Sequence, residues 1–343
     1  MAYFTADREL VDPDFQDGVV ASKREDCILQ TIIGRGKKPT DWEQKNQVEA
    51  FPEAYNARSA EGADHNEANF AEYKDFVLAH VCEVFDSKGY LVTRHRQMLP
   101  GHNEKSGETL TRKRMKDAQN LMLSIERAIS SDQEAVAYGE SHNPVTRGLL
   151  SWLKPLATRT DAGASTLHSV HTIPKELCPV AGLTTNVANL TEAAFKAELI
   201  KARKQRGTGN MSLVGLVGID LKTVMSEWLS KATDVNLRRT QPADLKKITL
   251  ICDDFNFDGV TCHVMYDGQI GADASTMAIG DASHYTGAFI DPKMWNIGTL
   301  EALRDFPLPD KGAGPRGYHT ATLRLTCLNP MGQFAIRHQV SQL

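Results

Sequence analysis

The chain has 343 residues, of which 41% are hydrophobic and 24% charged, so it can bury a substantial core and wholesale disorder is excluded. Its 39 Lys and Arg residues stand against 43 Asp and Glu, and the formal net charge of -4 excludes the global basic field of many nucleic-acid-binding proteins. The N-terminus lacks the pattern of a secretory signal, and no window approaches about 18 consecutive apolar residues. We therefore expect a soluble, cytosolic chain with no membrane partner.

The first 75 residues have little apolar pattern of their own. Residues 1–45 alternate acidic and basic side chains and contain one short apolar run, Cys27–Ile33, so we predict an N-terminal arm. Residues 46–75 are polar and contain a turn-like centre, Ser59–Gly62. This composition predicts a long two-stranded excursion that contributes little to the core.

A buried strand and a long helix are the clearest elements of the next part. Phe76–Val84 is apolar on both faces and is predicted to be a buried strand. Residues 107–131 are predicted to form a helix about 37 Å long. Its predicted core face consists of residues that recur at spacings of three and four: Met115, Ala118, Met122, Ile125 and Ile129.

Basic residues near the start of this helix are a candidate functional surface. Four cations lie within a turn and a half: Arg112, Lys113 and Lys116, together with Arg114. Such a cluster can face phosphates, and it can equally be a solvated helix face with Glu108 and Asp117 nearby.

Residues 134–189 are rich in Gly, Ser, Thr, His and Asn and are predicted to be irregular. Beyond them, Thr191 can cap a helix that runs through Arg206 and stops at Gly207. The pattern then predicts further elements and a closing hairpin with a turn at Asn329–Gly332. In chain order these are a strand at 212–217, a helix at 220–229, strands at 247–252, 260–266 and 287–290, and the hairpin strands at 323–327 and 334–340.

Two motifs suggest metal binding, but neither is complete. Asp254, Asn256, Asp258 and Gly259 match the first half of a calcium-binding EF-hand loop, whereas Met265 occupies the position that needs a bidentate carboxylate. This segment is better explained as an Asp-Gly hairpin turn. His168 and His171 lack an acidic or cysteine partner within a helical turn, so a solvated or locally hydrogen-bonded pair is favoured.

Other catalytic signatures are also incomplete. Gly139 and Ser141 lack the second glycine of a nucleophile elbow, and Gly34–Thr40 has the letters of a phosphate loop at the wrong spacing. The six cysteines form no C-x-x-C pair, which favours reduced, buried thiols. We therefore predict no catalytic residue, cofactor or metal.

The order of the elements matches a known family better than any single motif does. The stretches that carry the match are Thr40–Glu43, Glu61–Asp64, Asn120–Glu126, Thr146–Leu149, Leu190–Glu192, Ile290–Pro292 and Leu323–Asn329. In order and spacing, the chain resembles the tailed-phage major capsid proteins of the Hong Kong 97-type fold.

This resemblance implies an α+β fold and a domain organisation. The implied parts are an N-terminal arm (1–45), an extended β-hairpin loop (46–75), a peripheral domain (76–189) with a spine helix (107–131) and an irregular segment (134–189), a mixed α/β axial domain (190–317) and a C-terminal hairpin (318–343) that returns to the peripheral domain.

The resemblance also implies a function. It predicts a non-enzymatic major capsid protein that assembles into pentamers and hexamers of an icosahedral head, located in the virion after assembly in the host cytoplasm. Expected partners are further copies, packaged double-stranded DNA touched by Arg112, Lys113 and Lys116, and scaffolding, portal and decoration proteins. Two alternatives stay open: a nanocompartment shell of the same fold, and a metal-dependent enzyme using His168, His171 and the Asp254–Asp258 turn.

Overall fold

The computed structural model describes residues 27–50, 74–98, 108–139, 143–163, 170–186, 190–207, 209–230, 254–257 and 259–338. These residues form two compact units, which we treat separately. The described parts of Asp86–Leu121 and Leu303–Thr320 belong to the smaller unit, and those of Cys27–Phe85, Met122–Ala302 and Ala321–Leu343 to the larger unit.

The described chain contains both α-helices and β-strands. The α-helices are α1 (Ile28–Ile32), α2 (Arg94–Met98), α3 (Glu108–Ser130), α4 (Leu149–Trp152), α5 (Glu192–Arg206), α6 (Ile219–Ser230) and α7 (Asp281–His284). The strands are β1 (Gly34–Arg35), β2 (Glu43–Ala50), β3 (Lys74–Val81), β4 (Glu83–Asp86), β5 (Tyr90–Leu91), β6 (Ala162–Gly163), β7 (Ile173–Pro174), β8 (Leu183–Thr185), β9 (Met211–Val217), β10 (Asp254–Phe257), β11 (Val260–Tyr266), β12 (Gly287–Ile290), β13 (Trp295–Leu308), β14 (Arg316–Cys327) and β15 (Phe334–His338).

A six-stranded sheet in the order β10-β11-β9-β12-β15-β8 is the centre of the larger unit. β9 is parallel to β11 and antiparallel to β12, and β8 is parallel to β15. Phe195 of α5 packs against this sheet, with ring-centroid distances of 5.1 Å to Phe289 and 6.1 Å to Phe334. These tilted aromatic contacts and the surrounding aliphatic side chains form the main core.

Helix α5 begins and ends where its sequence predicts. The Thr191 hydroxyl accepts a hydrogen bond from the Ala194 N–H at 3.3 Å, which satisfies one of the helix's unpaired donors. Gly207 follows the last turn with a φ of 98°, a conformation that side chains other than glycine rarely adopt.

The five-stranded sheet has the order β1-β13-β14-β4, with β5 also pairing with β14. The change from the six-stranded sheet to this one falls between β12 and β13, at residues 290–295, before the predicted domain boundary at residue 317. Sequence alternation identifies strands but does not identify the sheet that each strand joins.

The predicted closing hairpin is wrong, because β14 lies in the five-stranded sheet and β15 lies between β12 and β8 in the other. The turn itself is present. Asn329 accepts a hydrogen bond from the Met331 N–H at 2.9 Å, and Gly332 has a φ of 72°. The turn therefore leads the chain from one sheet to the next instead of pairing its two strands.

Asp254–Phe257 is a strand, whereas the sequence predicted a turn there. Phe257 pairs directly with Val260, and Gly259 has a φ of 78°, so the reversal is confined to the end of the predicted segment. Residues 247–252, predicted to be a strand, lie outside the described residues.

β2 and β3 form a separate two-stranded antiparallel ribbon in register from Glu43 opposite Val81 to Ala50 opposite Lys74. No described side chain of β2 is fully buried, whereas the run from Leu78 to Val81 in β3 is buried. Residues 51–73, the rest of the predicted excursion, lie outside the described residues. Among the helices described, none is long and apolar enough to cross a membrane.

Candidate functional site

The residues predicted for the alternative metal enzyme do not assemble into a site in the described chain. Asp254 and His263 lie opposite each other across β10 and β11 and are hydrogen-bonded, but both side chains are more than half exposed. His171 is exposed, while His168 and Asp258 lie outside the described residues. No group of three His, Cys, Asp or Glu residues within the described ranges is arranged to hold a metal ion.

A serine, an aspartate and a histidine meet in the smaller unit, but their order does not suit catalysis. Ser87 Oγ and His319 Nδ1 both bind the same Asp117 oxygen, at 2.5 and 2.8 Å. The serine oxygen also accepts the backbone N–H groups of Gly89 and His319. In a Ser-His-Asp triad the serine hydroxyl donates to the histidine, which acts as its base, whereas this hydroxyl donates to the aspartate. The cluster therefore fixes β14 against the chain at Ser87–Gly89.

The basic cluster at the start of α3 is divided between two environments. Arg114 donates to the Tyr90 hydroxyl at 3.0 Å and lies 3.5 Å from Asp305, so its charge is used inside the smaller unit. Lys113 and Lys116 are exposed, and Arg112 is half-buried. The exposed basic strip is thus narrower than the sequence predicted, and its orientation toward DNA stays a prediction.

The core face of α3 also differs from the pattern predicted. Ile125 and Ile129 are buried and Ala118 is half-buried, but Met115 and Met122 are exposed in the chain, so their assignment to the core is wrong. The buried stripe instead contains Asp117 and Leu121, which precede Ile125 at intervals of four residues. Asp117 is buried because Ser87 and His319 satisfy it, which a hydrophobic pattern cannot reveal.

Two buried arginines organise the irregular segment of the larger unit. Arg147 binds Asp161 at 2.6 Å and donates to the carbonyls of Val170 and His171. Arg159 donates to three backbone carbonyls between Ser151 and Lys154 and to the same aspartate. Guanidinium groups thus supply the hydrogen bonds that a regular helix or sheet would otherwise provide.

Arg324, in the middle of β14, is 2% exposed and has no carboxylate partner among the described residues. Its Nε donates to Thr326 at 3.2 Å. A Cβ at Gly298 of β13 would lie 2.9 Å from that nitrogen, so the glycine provides the space for the guanidinium. Burial, with the charges of Arg324 and Arg147, lowers the pKa of His80 to about 3, and the Cys327 backbone opposes part of this effect.

Two carboxyl groups of the larger unit, Glu126 and Asp267, are fully buried, and Glu83 is half-buried. Burial raises the pKa of Glu83 to about 7, although the Thr146 N–H and the Gln133 amide donate to it at 3.0 and 3.1 Å. Burial and the nearby Asp267 raise the pKa of Glu126 to about 7, and burial raises that of Asp267 to about 6. These carboxyls change charge close to neutral pH.

Sequence reasoning missed these buried charges. Arg324 alternates with Leu323 and Leu325 and so looked like an outward-facing polar residue. Its burial follows from packing on both faces of β14, where every residue from His319 to Cys327 is buried, and the local sequence has no signal for this.

Comparison with known proteins gives the fold and the family. The model of the SU10 major capsid protein family matches residues 2–338. No curated protein sequence matches the chain.

Three solved structures are similar to this chain over nearly its whole length. The capsid of cyanophage A-1(L) aligns with a TM-score of 0.65 and 13% identity, covering 96% of this chain and 97% of that one. The capsid of a native GTA particle gives 0.59 and 11%, covering 98% of each chain, and Mycobacterium phage Bobi gives 0.56 and 12%, covering 97% of each. These likenesses show the α+β Hong Kong 97-type fold. With its family model matched from residue 2 to residue 338, the chain belongs to the SU10 major capsid protein family, whose members build shells and are not enzymes.

Proposed function

We propose that copies of this chain assemble as pentamers and hexamers into a closed icosahedral phage head that encloses double-stranded DNA. The observation that carries the proposal is the family match over residues 2–338. Heterologous contacts that close into rings supply the physical basis of such capsomers, because one surface of each copy then binds a different surface of the next.

The β2–β3 ribbon supports contact between copies. An isolated two-stranded ribbon is only marginally stable in water. Every described side chain of β2 from Glu43 to Glu49 is exposed or half-buried, and Lys74 and Asp75 at the far end of β3 are exposed. Packing against a neighbouring copy would cover these side chains and stabilise the ribbon.

Exposed apolar side chains support the same proposal in each unit. In the smaller unit, Met98 is 78% and Met115 60% exposed, and in the larger unit, Tyr138 and Val180 are each 57% exposed. Single exposed apolar residues are common on protein surfaces. Methionine and aromatic residues are nevertheless enriched at interfaces, where they supply adaptable contact area.

The remaining partners follow from a head that must be built, filled and closed. Lys113 and Lys116 would face the packaged DNA and gain salt-screened Coulomb energy. Scaffolding, portal and decoration proteins would contact the shell during or after assembly. The mature protein would reside in the virion, and assembly would take place in the host cytoplasm.

Sedimentation velocity of the purified full-length chain tests the proposal over a range of protein and salt concentrations. We expect capsomers or shells to form as the protein concentration rises. A species that remains a 37.9 kDa monomer at every concentration and salt level would contradict it.

A further inference from the structure

Glu126 of α3 is fully buried and holds the short helix α1 in place. Its carboxylate accepts the backbone N–H groups of Leu29 at 2.5 Å and Gln30 at 3.2 Å. The Gln30 side chain also donates to the Met122 carbonyl at 3.0 Å, and Leu29 is fully buried. The Cys27 side chain does not cap α1, so a carboxylate 97 residues away performs that role.

A second buried carboxylate lies near Glu126. Asp267 is fully buried; its Oδ1 accepts the Gln269 N–H at 2.9 Å, and its Oδ2 has no hydrogen-bond partner among the described residues. This segment is fixed to α3 because Ser130 Oγ and Arg127 Nε both donate to Gln269, at 2.9 and 2.8 Å. These bonds keep the backbone segments that carry Glu126 and Asp267 close together.

The other titratable groups on the elements packed here do not remove the repulsion between the two carboxylates. Arg127 directs its guanidinium to Gln269 and to the Met277 carbonyl. Cys27, next to α1, is half-buried and brings no positive charge. Among the described residues, no cation is bonded to either carboxylate, so the two cannot both ionise at low cost.

Docking of α1 and proton binding at Glu126 are therefore linked. With α1 docked, burial and the Asp267 charge raise the pKa of Glu126 from 4.5 to about 7. With α1 undocked, the carboxylate would be hydrated and its pKa would return toward the ordinary value. At pH values between these two pKa values, docking of α1 is accompanied by proton uptake at Glu126. Docking therefore weakens as the pH rises through about 7.

We propose that Glu126 is a proton-dependent latch for α1: the helix stays docked while the Glu126–Asp267 pair retains a proton and loosens when both carboxylates are ionised. The latch controls how firmly α1 is held against α3 within the larger unit. This inference goes beyond the proposed function and does not require shells to form.

Hydrogen exchange tests the latch. It is measured on the full-length, unassembled protein by mass spectrometry of peptides that cover Ile28–Ile33. After correction for intrinsic exchange, the two pKa values predict that protection of these amides falls about tenfold between about pH 6 and pH 8. Glu126→Gln keeps an oxygen that accepts the N–H groups but cannot ionise, so protection should become independent of pH. Asp267→Asn removes the repulsion and should move the fall to lower pH.

Glu83→Gln is the matched control, because Glu83 is a half-buried carboxyl that also has a raised pKa but is bonded to Gln133 and Thr146 instead of α1. This variant should retain the tenfold fall. Protection that is independent of pH in the wild type would overturn the proposal. An undiminished fall in Glu126→Gln, a fall at unchanged pH in Asp267→Asn, or loss of the fall in Glu83→Gln would also overturn it. Shell formation does not affect the readout, so failure of the latch and failure of the proposed function remain distinguishable.

Discussion

Arg147 and Arg324 are both buried in the larger unit, yet their surroundings differ. Arg147 has Asp161 as a charge partner and binds two backbone carbonyls, whereas Arg324 has the Thr326 hydroxyl and the nearby Cys82 thiol. A buried charge with a carboxylate and carbonyl acceptors can fix local geometry, while one without a carboxylate adds a desolvation cost. The first arginine thus explains the order of a segment whose composition predicts irregular structure.

The raised pKa of Glu83 predicts that the free energy of unfolding falls as the pH rises toward neutrality. Its folded-state pKa of about 7 lies above the ordinary 4.5, so the folded state binds the extra proton between these values. Its contribution is fully present below about pH 4.5 and is lost as the pH rises through about 7. The loss is up to about 3 kcal/mol, from 1.36 kcal/mol per pKa unit.

Chemical denaturation at a series of pH values measures this effect. Glu83→Gln should flatten the decline in the unfolding free energy between about pH 5 and pH 8, since glutamine does not ionise. The exposed Glu134→Gln is the control and should leave the decline unchanged. An equal decline in Glu83→Gln and the wild type would show that Glu83 ionises normally.

Individual elements show which parts of the fold were accessible from sequence. Helix α3 occupies Glu108–Ser130, within one residue of prediction at each end, because its apolar spacing is strong and continuous. Strand β11 matches its predicted bounds for the same reason. The pairing of β14 and β15 was not predictable, since hydrogen bonding between distant strands depends on the whole chain and not on alternation.

Substitutions on α3 test the revised face. Ile125→Asp would bury an unpaired charge and should destabilise the protein by about 3 kcal/mol or more. Met115 is 60% exposed in the unassembled chain. Met115→Asp should therefore lower the free energy of unfolding by about 1 kcal/mol or less. Urea denaturation of both variants measures the difference, and equal losses would restore Met115 to the core face that the sequence pattern predicted.

Shortening the excursion tests the role of the ribbon. Residues 51–73 can be replaced by a short Gly/Ser turn, because Ala50 and Lys74 are paired neighbours across β2 and β3. We expect circular dichroism and cooperative melting to persist while shell closure is lost. A variant that unfolds would place this segment in the subunit core, and one that closes normally would show that it makes no essential contact between copies.

At the scale of the whole molecule, sequence order was more informative than any motif. The polar arm, the ribbon, the long helix and the mixed domain matched a capsid fold, and the family match over residues 2–338 agrees with that interpretation. The site was harder to predict, because a shell protein acts through surfaces. The surfaces that we propose consist of ordinary exposed residues such as Met98 and Lys113, which have no diagnostic spacing.

The basic strip makes a prediction for the assembled particle. Lys113→Glu with Lys116→Glu should spare folding and empty-shell assembly, because both side chains are exposed, but should reduce the DNA retained per particle through loss of phosphate contacts. Absorbance of purified particles at two wavelengths measures the DNA content. Arg112 is left unchanged because it is half-buried. A normal DNA content would leave the strip as a solvated helix face.

Cryo-electron microscopy of particles assembled from the full-length chain tests the central claim most directly. We expect closed shells of pentamers and hexamers in which the β2–β3 ribbon of each subunit lies on a neighbouring subunit, with its apolar and half-buried side chains covered there. Particles in which every ribbon packs only on its own subunit, or preparations containing monomers alone at all concentrations, would contradict the account.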